Sequence, residues 1–387
     1  MARKSNTRAA QGAGMIRQRP DGRWEARYTV GRDPGTGKQI QKSIYGKTQK
    51  EVRQKLTEKL SQIDQGIYTD AVKITLGAWL DIWISEYSGN IKERTRILYD
   101  GHIQRHIKPA LGAVKLDALN TPAIQKFYNS LQKKNGLSAK TIKNIHGVLH
   151  KALQQAVEIG YIRFNPSDAC KLPRVERVAI KPLEDYQIAA FMKAVHGHPL
   201  EAVYIVDLFT GMRQGEILGL TWDCIDFDKG TITIYRQLQL IKGEYKFVSL
   251  KNDKPRQITP APYVMQVLSR HHKRQLQARL QAGEAWENEN DFVFTDNLGR
   301  HLARQTVYQH FKRFAAQIGM PDARFHDLRH SYAVAALQSG DNVKTVQQNL
   351  GHHTAAFTLD VYGHVSESMK RESAERMEAF INAVSNL

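Results

Sequence analysis

Cysteine is nearly absent from this chain of 387 residues: Cys170 and Cys224 stand far apart in unrelated surroundings. That excludes a disulfide framework and a cysteine metal site, and it fits a reducing compartment. Long apolar runs are missing too. No uninterrupted stretch approaches the ~20 residues needed to cross a bilayer, so no membrane partner is expected. The opening Met1-Ala2-Arg3-Lys4-Ser5 is basic, but no apolar stretch follows it, which excludes a secretory signal and points to the cytoplasm. A G-x-x-x-x-G-K-[ST] phosphate loop is lacking, since Gly35-Thr36-Gly37-Lys38 has the wrong spacing, and so is any paired-carboxylate metal site. No cofactor is expected. Negative charge is also short: 38 Asp+Glu against 56 Lys+Arg leave +18, with an isoelectric point near 9.7. Such an excess implies a polyanionic partner, nucleic acid foremost, because clustered cations release condensed counterions on binding it. Residues 1–60 are the most basic part, with 15 Lys+Arg and 5 Asp+Glu.

The length predicts two or three domains. Residues 1–14, polar and rich in Arg, Gly and Ala, are expected to be a disordered basic arm. Arg23 to Val30 alternates strictly, with Trp24, Ala26, Tyr28 and Val30 on one face and Arg23, Glu25, Arg27 and Thr29 on the other, as a half-buried strand does. Asp33-Pro34-Gly35-Thr36-Gly37 is turn chemistry, and Gln39 to Ile44 alternates again, completing a hairpin. Thr48 and Glu51 then form a capping box for a helix with Val52, Leu56, Leu60 and Ile63 in one stripe. A small sheet backed by a helix can lay its strands in a DNA groove, though a generic hairpin module with a basic outer face reads the same way. Arg23, Arg27 and Lys42 are its candidate DNA contacts.

From Thr75 the period becomes helical. Leu76, Trp79, Leu80, Trp83, Ile84 and Tyr87 form a core stripe. Further helices are expected at Thr95 to Ile107, from Thr121-Pro122 as N-cap and first turn, and over Ser138 to Ile159, giving a bundle without strands. Asn165-Pro166 ends it. The stretch to Pro182, carrying Lys171, Arg174, Arg177 and Lys181 among prolines, reads as an extended basic linker, with Lys171, Arg174 and Arg177 as DNA candidates. A third unit from Leu183 mixes helices with strands at Thr231 to Tyr235, Tyr245 to Leu250 and Arg256 to Thr259.

Polar residues in this third unit fall where a core helix would not want them. Thr210-Gly211-Met212-Arg213-Gln214-Gly215-Glu216 puts an arginine at a glycine-flanked turn opening a helix, where guanidinium and backbone amides suit an anion. A buried Arg213–Glu216 ion pair explains the same residues. His326-Asp327-Leu328-Arg329-His330 places His326 and Arg329 on one helical face, spaced to hold a phosphate. Its histidines at i and i+4 also mimic H-E-x-x-H zinc sites, but Arg329 opposes a metal and no third ligand is evident. Leu350-Gly351-His352 follows, then Tyr362 ten residues on. A tyrosine, with a pKa of ~10, becomes a nucleophile at neutral pH only in a strongly cationic site, which two arginines and a histidine supply.

Residues 183–365 resemble the catalytic domain of the tyrosine recombinases, whose pattern is Arg, Lys, His-x-x-Arg, His or Trp, then Tyr. Arg213, His326, Arg329, His352 and Tyr362 match in order and spacing. The family lysine lies on a β-hairpin, and Lys251 in Ser249-Leu250-Lys251-Asn252-Asp253-Lys254-Pro255-Arg256 fits it, with Lys254 a rival and Asn252 a departure from the usual Thr. Residues 75–165 are similar to the family's helical core-binding domain, and residues 15–65 to the arm-binding domain of phage and conjugative-transposon integrases. The expected fold is therefore multidomain: a small β-sheet-plus-helix N-terminal domain (15–66), an all-α helical core-binding domain (73–166), a linker (167–182), an α+β catalytic domain (183–365) and a C-terminal tail helix (366–387).

What the resemblance implies is site-specific recombination for a bacterial mobile element, integrating and excising DNA without ATP or metal. Tyr362 attacks the scissile phosphate to give a 3′-phosphotyrosyl link, Arg213 and Arg329 clamp its oxygens, Lys251 protonates the leaving oxygen, His326 acts as general acid and base, and His352 bonds the phosphate. The implied partners are duplex attachment sites of core and arm type, an excision accessory protein, and three further copies in a tetramer. Met369, Ala374, Met377, Phe380, Ile381 and Val384 form an apolar stripe suited to a neighbouring subunit or to the chain's own catalytic domain. A type IB topoisomerase, or a DNA-binding regulator with a dead site, are the alternatives; the extra N-terminal domain opposes the first and the complete catalytic set the second.

Overall fold

A computed structural model of the chain describes residues 15–32, 35–64, 74–176, 181–352, 354 and 367–385. The expected basic arm (1–14), Arg177 and Tyr362 lie outside them. The chain divides into two compact units, residues 1–176 and 177–387.

The first unit opens with an antiparallel meander, β1 (Met15–Gln18), β2 (Trp24–Arg32) and β3 (Gln39–Gly46), in that spatial order. The alternation in β2 does what period 2 requires: Ala26 and Tyr28 are buried against Val52 and Leu56 of α1 (Gln49–Asp64). β1, too short to show a period, pairs Arg17 with Glu25 and Gln18 with Trp24. Helix α1 is capped by the Glu51 amide on Thr48 Oγ1 (3.2 Å), while the Glu51 carboxylate reaches back to the Lys47 amide (2.9 Å).

A helical layer follows: α2 (Leu76–Glu86), α3 (Glu93–His102), a π-helical turn (Ile103–Ile107), α4 (Lys108–Leu111), α5 (Thr121–Lys133) and α6 (Ala139–Glu158). The α2 stripe is core, with Leu76, Trp79, Leu80 and Trp83 buried and the Trp79 indole donating to the Ala152 carbonyl (2.8 Å). The single helix expected at Thr95 to Ile107 starts earlier and runs on to Leu111, because the π turn rotates Ile103 and Ile107 together onto the core. The cap of α5 also differs. Asn120, not Thr121, accepts from the Ala123 amide (3.0 Å), and the Thr121 hydroxyl is used on the Pro166 carbonyl (2.7 Å). Beyond Pro166 the chain stays against α5, where the Lys171 amide and carbonyl bond the Gln125 side chain (2.7 and 3.0 Å).

In the second unit, α7 (Asp185–Val195), α8 (Glu201–Thr210) and α9 (Gln214–Leu218) precede two small sheets. One has the order β4 (Ile225–Asp226), β5 (Thr231–Ile234), β8 (Arg256–Ile258); the other pairs β6 (Arg236–Ile241) with β7 (Glu244–Ser249). β6 escapes a period-2 reading because Gln237 is buried, its amide donating to the Ser249 carbonyl (2.8 Å). Helices α10 (Pro262–Ala282), α11 (Arg304–Gln317), α12 (His326–Gln338), α13 (Val343–Leu350) and α14 (Glu367–Ser385) complete the described residues. Helix α8 is buried along its length among residues of α7, α10, α11 and the strands, and its C-terminal end carries the site.

Candidate active site

Helix α8 stops at Gly211, whose left-handed φ of 61° turns the chain toward α9. A Cβ here would lie 2.5 Å from the Tyr332 ring, so both conformation and space demand glycine. Two residues on, Arg213 caps α9 in an extended conformation. Its amide bonds Glu216 Oε2 (3.0 Å), Nη1 bonds Glu216 Oε1 (2.7 Å), and Nη2 bonds the Gly351 carbonyl (3.1 Å). The ion pair anticipated as an explanation of this motif is thus present. It anchors the guanidinium without withdrawing it from the surface.

Arg329, one turn into α12, is buried, with Nη1 on the Gly211 carbonyl (2.5 Å) and Nη2 on the Leu350 carbonyl (2.7 Å). Two arginines 116 positions apart therefore bind adjacent carbonyls, Leu350 and Gly351, at the end of α13. Burial raises the pKa of the Asp207 carboxyl well above its ordinary value, with the charge of Arg329 opposing.

His352 follows Gly351 directly, fixed by its amide on the Gln347 carbonyl (3.1 Å) and by the Gln347 amide on its own carbonyl (2.9 Å). Burial lowers its pKa to about 3, reinforced by Arg329, Arg213 and the imidazoles of His330 and His326. His326 falls to about 4 through burial, His330, Arg329 and Arg213, with Asp327 opposing. Its ring meets that of His330 edge-on at 4.7 Å, and burial also brings His330 to about 4. All three are neutral at pH 7. Among the described residues no group of three His, Cys, Asp or Glu has metal-binding geometry.

A cavity of about 340 Å³ opens beside this cluster, lined by Arg213, Asn252, Lys254, Arg256, Gly351 and His352 among others. The turn from β7 to β8 forms one wall, with the Asn252 amide at 3.4 Å from the Gly351 carbonyl. Lys254 faces the cavity. Lys251 sits on the exposed start of the same turn and is not part of the lining. The structure brings together Arg213, His326, Arg329 and His352.

Sequence reasoning passed over Arg256. From β8 its Nη2 bonds Glu216 Oε2 (2.6 Å) and its Nε the Asn349 carbonyl (2.8 Å), and its guanidinium underlies Gly351. Burial alone would raise the Glu216 carboxyl, but the Arg256 hydrogen bond and the charges of Arg256 and Arg213 hold it at about 2. The available signal was an arginine sharing the inward face of a strand with buried Ile258, which implies a buried anion.

The surface candidates separate. Arg27 is on the outward face of β2, Arg23 is exposed and paired with Asp21, and Lys42 stands opposite Tyr28 on the face toward α1. Lys171 and Arg174 are exposed.

The family model described as "Phage integrase family" matches residues 181–369, and "Phage integrase, N-terminal SAM-like domain" matches residues 75–132. A tyrosine recombinase XerC-like protein of Caldanaerobacter subterraneus subsp. tengcongensis is 32% identical over 370 residues, covering 90% of this chain and 94% of its own. The fold resembles that of the Tn1549 transposon integrase in complex with transposon right end DNA, at a TM-score of 0.68 and 23% identity over 79% of this chain and all of that one. A lambda integrase tetramer bound to a Holliday junction matches at a TM-score of 0.56 and 20% identity, over 91% of this chain and 96% of that one.

Proposed function

This chain belongs to the phage integrase family of tyrosine recombinases, and on that premise we propose that it integrates and excises a mobile genetic element by cutting and rejoining DNA through Tyr362. The observation that carries the reading is the meeting of Arg213 and Arg329 on the Leu350 and Gly351 carbonyls beside His352. A phosphodiester bound there faces two cations whose partners are already set, so charge growing at phosphorus is stabilised without reorganisation.

The Tyr362 oxygen attacks phosphorus as its proton passes to neutral His326, and the bond to the 5′ oxygen breaks. That oxygen takes a proton from a lysine of the β7–β8 turn. The product is a 3′-phosphotyrosyl link and a 5′-hydroxyl, which later attacks the partner strand and restores Tyr362. Bond count is conserved, so ATP is unnecessary. His352 donates to a non-bridging oxygen. The position of Lys254 in the cavity wall favours it over Lys251 as the acid. Replacing the 5′-bridging oxygen by sulfur removes the need for that proton, so the modified substrate restores cleavage to whichever lysine variant lacks the acid.

The helical layer and the exposed cations Lys171 and Arg174 suit core-type sites, and the sheet of residues 15–64 suits arm-type sites. The exposed row Met377, Phe380, Ile381 and Val384 on α14 suits docking on a neighbouring copy in a tetramer. Arm-type binding provides a place for an excision accessory protein to act. The decisive experiment uses a duplex nicked near the cleavage point, so that the cut strand diffuses away and traps the adduct. Covalent protein–DNA product forms with the unaltered chain and not with Tyr362→Phe; equal product from both sinks the proposal.

A further inference from the structure

The outward face of the N-terminal sheet is basic, yet an acid sits at its centre. Glu25 on β2 stands opposite Arg17 on β1 and Tyr45 on β3, with Arg27 two residues along its own strand. A carboxylate on a face meant for DNA repels phosphates wherever it is exposed. Glu25 is instead 2% exposed, covered by the side chains it holds. Arg17 places Nε and Nη2 on Oε2, both at 2.8 Å. Arg27 Nε (3.2 Å), Ser43 Oγ (3.0 Å) and Tyr45 OH (3.5 Å) share Oε1. The Arg17 hydrogen bond, with Ser43 and Arg27 behind it and burial opposing, holds the carboxyl at about 2, so it is an anion at every physiological pH.

This arrangement lowers the charge of the trio from +2 to +1, which weakens attraction to a phosphate backbone. What it gains is orientation. An unheld arginine loses rotamer freedom when it binds, whereas one whose Nε edge is already engaged presents a fixed plane. Fixed guanidinium planes matter little to phosphates, which ring the duplex on all sides. They matter greatly to a guanine edge, whose O6 and N7 accept a bidentate fork in one plane only.

We infer that Glu25 is a specificity-determining positioning residue, which orients Arg17 and Arg27 to read base edges in the major groove of the arm-type site. The inference rests on the reading of this sheet as a DNA-binding face. Arg19, stacked over Tyr45 at 5.5 Å, borders the trio and keeps a cation at its edge for the backbone.

The test uses the full chain and a randomised library of ~20-base-pair duplexes, long enough for two turns of major groove. The motif assigned to the sheet is the one enriched by the unaltered chain and lost with Arg17→Ala/Arg27→Ala. Glu25→Gln is expected to bind the unselected library as tightly as the unaltered chain or several-fold more tightly, since one repulsive charge is gone. Its affinity for the motif falls about tenfold, the worth of one bidentate base contact. Arg17→Lys, which keeps the charge and loses the fork, loses preference at the same base positions. A Glu25→Gln chain that keeps the motif preference overturns the inference and leaves the DNA face standing. Equal losses on the motif and on the unselected library, with a lowered melting temperature, mark Glu25 as purely structural, and overturn it too. If the double alanine variant enriches the same motifs as the unaltered chain, the DNA face itself is wrong.

Discussion

Two carboxylates in this chain each hold a pair of arginines, in opposite surroundings. Glu216 is 1% exposed, and its partners Arg213 and Arg256 are 22% and 10% exposed. Glu25 is 2% exposed, but its partners Arg17 and Arg27 stand about half in water. Where the cations are buried with the anion, removing the anion strands charge in a poorly solvated place. Where water reaches the cations, removing it frees them. The same trio is therefore a structural keystone in one unit and an orienting device in the other, and the two differ in what a substitution should cost.

The largest effect expected is on folding. Glu216→Gln leaves Arg213 and Arg256 without their shared anion and lowers stability by about 3–5 kcal/mol, the usual loss on breaking a buried ion pair. Urea denaturation measures it. Glu25→Gln costs clearly less, because water solvates the arginines it releases. Comparable destabilisation by both would break the comparison.

Next comes Arg256→Gln, which spares the anion and removes its second cation. Glu216 then shifts, and with it the Arg213 guanidinium. A displacement of ~1 Å at a phosphate clamp is worth about 100-fold in rate, so single-turnover cleavage falls by that order while affinity for uncut DNA stays close to that of the unaltered chain. Arg256→Lys recovers little, because an ammonium cannot span Glu216 and the Asn349 carbonyl at once. Parallel losses in cleavage and DNA affinity would place Arg256 with the groups that hold DNA.

How much of this was legible beforehand follows from how local each signal is. Arg213 and Glu216 are three residues apart, and Glu25 and Arg27 share a strand face, so both pairs show in the sequence. The third members do not. Arg256 reaches Glu216 across 40 positions, and Arg17 lies on a four-residue strand with too few positions for a period. The clustering of Arg213, His326, Arg329 and His352 followed from family order and not from any local pattern, since carbonyls at Gly211, Leu350 and Gly351 do the gathering. Backbone carbonyls carry no sequence signature. The cap of α5 was misplaced for a related reason, as Asn120 and Thr121 both suit a cap and only the distant Pro166 carbonyl decides between them.

Acid should separate the two sites by a smaller margin. His326, His330 and His352 lie at about 4, 4 and 3 in the folded chain, against 6.5 ordinarily. Between those values the unfolded chain binds more protons than the folded one, so stability at this site is full above pH ~6.5 and declines as pH falls toward 4. Glu216 and Glu25, both held near 2, lose their contributions only below the ordinary carboxylate value of 4.5. Amide exchange of α12 and α13, corrected for its intrinsic pH dependence, should therefore quicken between pH 7 and 5 while that of β2 does not. His330→Phe, which cannot titrate, should flatten part of the response in α12. Equal quickening in β2 would mean that the sheet yields to acid for reasons unconnected with Glu25, and the contrast between a buried trio and a half-solvated one would lose its electrostatic basis.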